Sequence, residues 1–469
     1  MKKGADVELT IESLAYKGKG VGHLDGLAVF VPNTAPGDRI RARITKKKKR
    51  FREAKLLEVL SPSDLRVEPP CRHAAVCGGC SWQHVPYSEQ LRQKEQQVRD
   101  HMERLGGLNP DVVQPILGCE QSLGYRNKME YSFGPRRWLT LEEIEREEYV
   151  DDRQFSAGLH APGRFDKILN LQECHLQPPF SYEMLEFVRS WCIENEIDAF
   201  DPVRQTGTMR HLVIRHSVAD DAVMAVLVTR DDIHDKMEQL ADLLTARFPI
   251  LSTIVHQINP HSSPTADGQT FRTLTGSGEI EEQLGEYRFT IGPDAFFQTN
   301  TRQAVRLYDK VLDYVSREPS DHLFDLYCGV GTLTMYLSGQ VTKAVGIELV
   351  ETAIENANAN AKRNDVQNVR FVQGDMKDTF SEELLSETGR PDIIVTDPPR
   401  AGMHPDVVQQ LKNLGTPRMV YVSCNPSTLA RDLKEMTDEY EVIEVTPVDM
   451  FPQTWHIEAV AYLKRRTAP

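Results

Sequence analysis

One cysteine stands where an apolar run would deliver it into a turn. In RMVYVSCNPSTLARDL, residues 418–433, Met419 to Val422 lead into Cys424, with Asn425 and Pro426 behind it. Such a thiol is either an inert small hydrophobe or a placed nucleophile. A thiolate can add to C6 of a pyrimidine, which makes C5 enolate-like and able to take a methyl group. A base must then remove the C5 proton so that the thiolate can leave. MFPQTWHIEAV offers Glu458 for that proton on the last strand, with His456 as a rival base. Period-2 alternation would set both on one face of the strand.

A methyl donor has its own pattern. LFDLYCGVGTLTMYL holds Gly329 and Gly331, which permit a tight turn and close backbone approach to a ligand. Thr334 stands where a dinucleotide fingerprint wants a third small residue, which counts against NAD. Glu348 closes the next strand, 19 residues after Gly329, where an acid accepts hydrogen bonds from ribose hydroxyls. Asp375 follows in VRFVQGDM, where a nucleoside base would lie, and Asp397 ends IIVTDPP at the carboxyl edge of the sheet. Together these point to S-adenosylmethionine. Methylases of exocyclic amines also use an Asn/Asp-Pro-Pro-aromatic turn. This chain has Arg400 in place of the aromatic residue and adds Cys424, which favours C5 chemistry.

Two features lie outside that site. CRHAAVCGGCSWQH places Cys71, Cys77 and Cys80 on one loop, and Cys174 in LQECHL is a remote fourth thiol. Three clustered thiols and one distant ligand suit a [4Fe–4S] cluster better than paired zinc motifs, with zinc or free thiols the alternative. Cys119, Cys192 and Cys328 read as small core hydrophobes. Residues 41–55 hold nine Lys or Arg against Glu53 alone, including Lys46, Lys47, Lys48, Lys49 and Arg50. The whole chain carries −14, which argues against non-specific nucleic-acid binding by the molecule as a whole but permits local phosphate contacts.

These residues need three supports, because 469 residues exceed one core. About five short strands over residues 7–60 suit an OB-type barrel, with the basic run on its third and fourth strands. A loop with the three thiols follows, then a helix over 88–106 with Ser88 as N-cap and Gly106-Gly107 as its stop. Residues 121–290 read as strands with helices near 181–196 and 231–246, and 141–152 as an acidic loop. From 291, β-α alternation predicts a doubly wound, mostly parallel sheet. Its strands fall at 322–326, 343–347, 369–372, 392–396, 418–422, 441–448 and 457–464. The expected domains are 1–62, 63–290 with the thiol loop, and 291–469, the helix over 88–106 packing on the last. The N-terminus has no signal-peptide core and no apolar run spans a bilayer, so the expected place is the cytoplasm, as a monomer with no membrane partner.

DPPRAG, VSCNPSTLARDL, MFPQTWHIE and GPDAFFQTN (292–300) together resemble the bacterial RNA uracil-5-methyltransferases. The resemblance covers nearly the whole chain. It implies a Rossmann-like class I methyltransferase domain, Cys424 as nucleophile and Glu458 as base. It further implies Gln298, Tyr327, Glu348 and Asp397 at the donor, although Thr332 stands where many relatives carry Asn. Family members with this cysteine spacing carry a [4Fe–4S] cluster. Residues 1–60 resemble the TRAM domain, an OB-type RNA binder. GYRNKMEYSFG (124–134) matches a segment that contacts target RNA, which brings in Arg126 and Lys128, with ring stacking inside a sheet as the plainer reading. The implied substrate is a uridine of structured RNA, splayed out of its stack. A TRAM domain together with a cluster points to 23S ribosomal RNA; a transfer-RNA uridine, amino-directed methylation and a non-catalytic assembly factor are the alternatives.

Overall fold

The computed structural model describes residues 2–139, 143–144, 155–262, 266, 268, 270–377, 380 and 382–466. Six strands form the first sheet: Asp6–Thr10, Ser13–Leu14, Gly20–Leu24, Leu27–Val31, Arg39–Lys47 and Phe51–Ser61. Alternation decides its faces. Ile40, Ala42 and Ile44 turn into a core with Leu9, Val29 and Val31, while Arg39, Arg41 and Arg43 face solvent. The short pair Ser13–Leu14 adds a strand to the five expected. The basic run therefore lies on the fifth and sixth strands, not the third and fourth.

The second sheet orders Thr270–Thr275, Leu251–Ile258, Val223–Thr229, Met209–His216, Lys128–Gly134, Ser156–His160 and Ile168–Asn170. Helices Phe180–Glu194 and His234–Arg247 lie close to the expected positions. Val223–Thr229 is apolar throughout except at its last residue because both faces are covered. Ala225 and Leu227 share a core with the two helices, and Met224, Val226 and Val228 share one with Leu307 and Val311 of helix Thr301–Ser316. The division expected at residue 290 falls inside strand Tyr287–Ile291, whose hairpin with Ile280–Leu284 packs on that same helix. All of the expected acidic loop but Glu143 and Ile144 lies outside the described residues.

The third sheet carries the chemistry. Its strands run, in spatial order, Val369–Gln373, Lys343–Glu348, His322–Leu326, Ile393–Thr396, Arg418–Ser423, Glu458–Arg465 and Tyr440–Val448. The first five pair in parallel and the last two antiparallel. The strand order reverses between His322–Leu326 and Ile393–Thr396, which opens a crevice beyond their carboxyl ends.

A helix at Tyr87–Arg104 ties the parts together. It starts at Tyr87 behind Pro86 with no side-chain cap, so Ser88 is not its N-cap. Val98 and Met102 join the third sheet's core. Its other inward face is polar. Gln93 Oε1 accepts from Leu14 N at 2.9 Å and Gln97 Nε2 donates to Leu14 O at 3.0 Å, pinning the first sheet. Among the described residues, no helix is long and apolar enough to cross a membrane.

Candidate active site and thiol cluster

The crevice is a cavity of about 440 Å³. Tyr327 and Gly329 enter it from the end of strand His322–Leu326, Asp397 to Arg400 from Ile393–Thr396, and Cys424 from Arg418–Ser423. Gln298 lines it from the segment before helix Thr301–Ser316. The turn after the first strand is tightly specified. Tyr327 has φ +64 and Gly331 φ +80, and a Cβ on Gly331 would meet the Phe371 ring at 2.6 Å. Thr334 donates to Asp325 Oδ2 at 2.6 Å, a structural use of the position that departs from the dinucleotide fingerprint.

Glu458 is the first residue of its strand and is buried in the cavity wall. His456 also lines the cavity, but from the preceding turn. The shared-face reading fails because that turn is not yet extended strand. Glu348 sits at its strand end and accepts from Gly329 N at 3.2 Å and from Leu349 N and Val350 N. Asp375 lies two residues beyond its strand, exposed, and accepts from Lys377 N. Neither Glu348 nor Asp375 lines the 440 Å³ cavity.

Charge in this crevice is out of balance. Burial alone raises the Asp397 carboxyl to about 7. Burial, with Asp397 adding to it, raises Asp325 to about 7. Glu458 is pushed well above the usual carboxylate range by burial and then by Asp397, against a smaller pull from Arg400. Burial, followed by Glu458 and Asp397, raises the Cys424 thiol to about 12. His456 falls to about 4 through burial and the nearby Arg400 charge, so it is neutral at pH 7. Asp325, Asp397, Glu458 and Cys424 would each ionise more readily beside a bound cation.

Sequence reading missed the residues around the thiol. Tyr16, from the first sheet, donates to Asn425 Oδ1 at 3.0 Å, next to Cys424. Trp455 stacks on His456 at 4.0 Å, and the Arg400 guanidinium lies 4.9 Å from the Trp455 ring. Phe296 stands 77% exposed at the cavity mouth. Its place beside Phe297 in GPDAFFQTN was the available signal.

Cys71, Cys77, Cys80 and Cys174 line one small cavity. The loop approaches the second sheet closely: a Cβ on Gly78 would sit 2.5 Å from His160 O. Gly79 N donates to Cys77 Sγ at 3.4 Å and Gln83 Nε2 to Cys80 Sγ at 3.2 Å. Donors aimed at sulfur fit thiolates bound to a metal. Burial raises Cys71 and Cys77 to about 11 and Cys80 to about 12 as free thiols. Among the described residues, the one trio of ligand atoms mutually within 4.8 Å is Cys71, Glu173 and His175. Cys192 and Cys328 are buried, but Cys119 is half-buried at a groove and donates to Gln121 O, so it is no core hydrophobe.

The basic residues divide. Arg41 pairs with Glu58, Arg43 with Asp6 and Lys46 with Glu53, while Lys47, Lys48, Lys49 and Arg50 stand exposed at the hairpin tip. Lys128 pairs with Glu130 at 2.6 Å. Arg126 lines a groove of about 650 Å³ beside helix Thr301–Ser316. Between them, Asn127 is buried and donates to Gln298 O and Thr301 Oγ1, both at 2.8 Å.

Comparison with known proteins agrees with this geometry. Residues 272–466 match the model of the tRNA (uracil-5-)-methyltransferase family and residues 1–57 that of the TRAM domain. An uncharacterized RNA methyltransferase of Porphyromonas gingivalis is 40% identical over 98% of this chain and 100% of its own length. Another, from Chlorobaculum tepidum, is 41% identical over 99% of this chain and 97% of its own. The solved tRNA (uracil-54, C5)-methyltransferase of Pyrococcus abyssi, in complex with S-adenosyl-L-homocysteine, superposes with a TM-score of 0.74 at 29% identity. That match covers 97% of this chain and 100% of the other. The chain belongs to the family of S-adenosylmethionine-dependent RNA (uracil-5-)-methyltransferases and carries an N-terminal TRAM domain.

Proposed function

We propose that this enzyme methylates C5 of a uridine in 23S ribosomal RNA, in the cytoplasm and as a monomer, through a covalent cysteine adduct. One observation carries the mechanism: Cys424 and Glu458 line the same cavity as Gln298, Tyr327 and Asp397. S-adenosylmethionine supplies the electrophilic methyl group and a positive charge. Asp397, Gln298 and Tyr327 hold it from the crevice, and Glu348 and Asp375 receive its ribose and base from the neighbouring strand ends. Cys424, as its thiolate, would add to C6 of a flipped uracil, and the C5 enolate would take the methyl group as the donor's S–CH3 bond breaks and S-adenosylhomocysteine leaves. Glu458 then accepts the C5 proton, the C–S bond breaks, and Cys424 leaves as thiolate. Glu458 must be ionised for that step. Burial first, and the Asp397 charge second, favour the protonated form of Glu458, against a smaller pull from Arg400. His456, neutral at pH 7, is the rival base.

Cys71, Cys77, Cys80 and Cys174 would hold a [4Fe–4S] cluster; none of these steps needs an electron, so its role is structural. Lys46 to Arg50, Arg126 and Lys128 face the RNA. The domains follow the division proposed from sequence, with the hairpin Ile280–Leu284/Tyr287–Ile291 assigned to the catalytic part. A transfer-RNA uridine is the second reading. The Pyrococcus enzyme favours it, because its likeness spans 97% of this chain and so extends over the first sheet and the thiol loop.

Cys424→Ala tests the chemistry. It should neither turn over nor trap 5-fluorouridine RNA, and normal methylation by it would exclude the adduct and leave amino-directed transfer. Absence of any methylation by the native enzyme would leave an assembly factor. Mapping 5-methyluridine in the ribosomal and transfer RNA of a deletion strain decides the substrate.

A further inference from the structure

The turn that delivers His456 and Glu458 has bonds of its own, Thr454 Oγ1 to Phe451 O and His456 N to Thr454 Oγ1, but it is also held from outside. Four consecutive carbonyls in it each accept from a different segment. Met450 O accepts from Asn300 Nδ2 at 3.0 Å, Phe451 O from Lys94 Nζ at 3.2 Å and Pro452 O from Tyr125 Oη at 3.0 Å. Gln453 O accepts from Ser81 N at 2.8 Å and Trp82 N at 3.1 Å, the residues that directly follow Cys80. Gln453 itself is held at φ +67, a conformation that side-chain-bearing residues avoid. Gln90 grips it at both ends: Gln453 N donates to Gln90 Oε1 at 3.0 Å and Gln90 Nε2 donates to Gln453 Oε1 at 2.9 Å. The same Gln90 amide meets Trp82 O and Val85 O. Behind the turn, Lys94 and Asp449 form a fully buried pair at 2.6 Å, with Tyr87 on the other carboxylate oxygen.

We propose that the thiol loop braces the catalytic turn, with Gln90 as the positioning residue between them. This rests on Glu458 or His456 acting as the base. Closing the loop on its four thiols fixes Ser81 and Trp82, and their two N–H groups with Gln90 hold Gln453 in its strained conformation. That sets where the strand Glu458–Arg465 begins. A buried ion pair such as Lys94–Asp449 contributes little net stability, so its use here is geometry. The arrangement assigns the thiol site a task in catalysis that requires no electron transfer.

Amide hydrogen exchange on the purified chain tests the brace without RNA. Gln90→Leu, and separately Cys80→Ala, should raise exchange at residues 450–456 roughly tenfold or more while strand His322–Leu326 keeps its protection. Binding of S-adenosylmethionine should stay within about twofold, because Gln90 does not line the crevice. With RNA, Gln90→Leu should lower kcat by up to ~100-fold and accumulate methylated enzyme–RNA adduct, because the base is displaced while the nucleophile is not. Unchanged exchange at 450–456, or loss of protection throughout the chain, overturns the brace. If exchange changes as expected but the native enzyme traps no 5-fluorouridine RNA, the cysteine mechanism fails and the brace stands.

Discussion

Replacing Asp397 by Asn should stabilise the ligand-free enzyme above neutral pH and weaken its hold on the cofactor. The carboxyl moves from an ordinary 3.8 to about 7 on folding, and burial is the cause. A displacement of that size corresponds to roughly 4 kcal/mol, an upper figure because the group opens onto a cavity that water enters. The sign follows from proton counting. Between pH 4 and 7 the folded chain keeps a proton that the unfolded chain has lost, so stability from this group falls with rising pH and is flat above 7. Asparagine has no such loss. The advantage of Asp397→Asn should therefore be near zero at pH 4 and approach ~4 kcal/mol at pH 8. The fall of Asp325 from its raised value, once its neighbour's charge is gone, adds to it in the same direction. Native-state hydrogen exchange in the strands His322–Leu326 and Ile393–Thr396 reads this opening energy directly, which a multi-domain melting curve does not. Cofactor affinity should drop roughly 10- to 100-fold, the worth of a charge-assisted contact. A variant no more stable than wild type at pH 8 would refute the claim that this crevice is strained for want of a positive charge.

Other consequences can be checked separately. Alkylation of Cys424 by iodoacetamide should be slow at pH 7 and rise about tenfold per pH unit toward 12. A cationic cofactor analogue should accelerate it where neutral S-adenosyl-L-homocysteine does not; equal rates with both would remove the electrostatic argument. Glu458→Gln should leave a methylated enzyme–RNA adduct on a denaturing gel, and its absence would assign the proton to His456. Neutralising Lys47, Lys48, Lys49 and Arg50 should flatten the salt dependence of RNA binding by up to four phosphate contacts, whereas an unchanged slope would return them to plain solvation. Anaerobic purification should give a brown protein with about four iron per chain, against a colourless zinc protein if the cluster is misassigned.

Much of the catalytic sheet was legible because its central strands are largely apolar runs, and a parallel sheet buries both faces of such runs. Asp397 and Cys424 could be placed from the sequence because each directly follows a strand, whereas Tyr327 entered only through the family resemblance. The helix Tyr87–Arg104 was legible as a helix but not in its purpose. Glu89, Gln90, Gln93, Lys94 and Gln97 look like a solvated face, and all five are buried. Glu89 is held by Arg92 and Gln93 of its own helix, but the other four reach main-chain groups of Leu14, Phe451 and Gln453 and the carboxylate of Asp449, far away in the chain, and no periodicity encodes such pairings. His456 and Cys119 were misread for a similar reason: local alternation and composition carry no record of where a turn ends or a groove opens.

The contact between Tyr16 and Asn425 joins binding to chemistry. Asn425 caps helix Pro426–Met436 by accepting from Ser427 N at 3.2 Å, and its amide also donates to Arg400 O at 3.1 Å. Tyr16 lies on the TRAM side of that cap and packs edge-on against Trp455 at 4.9 Å. The module expected to grip phosphates therefore forms part of the wall that orients the nucleophile's turn. Tyr16→Phe removes one hydrogen bond and leaves the ring in place. If the wall matters only for folding, that change costs about 1 kcal/mol of stability and nothing else. If it aligns Cys424, 5-fluorouridine trapping should slow several-fold at saturating RNA while RNA affinity holds. Unchanged trapping would reduce the TRAM contact to packing.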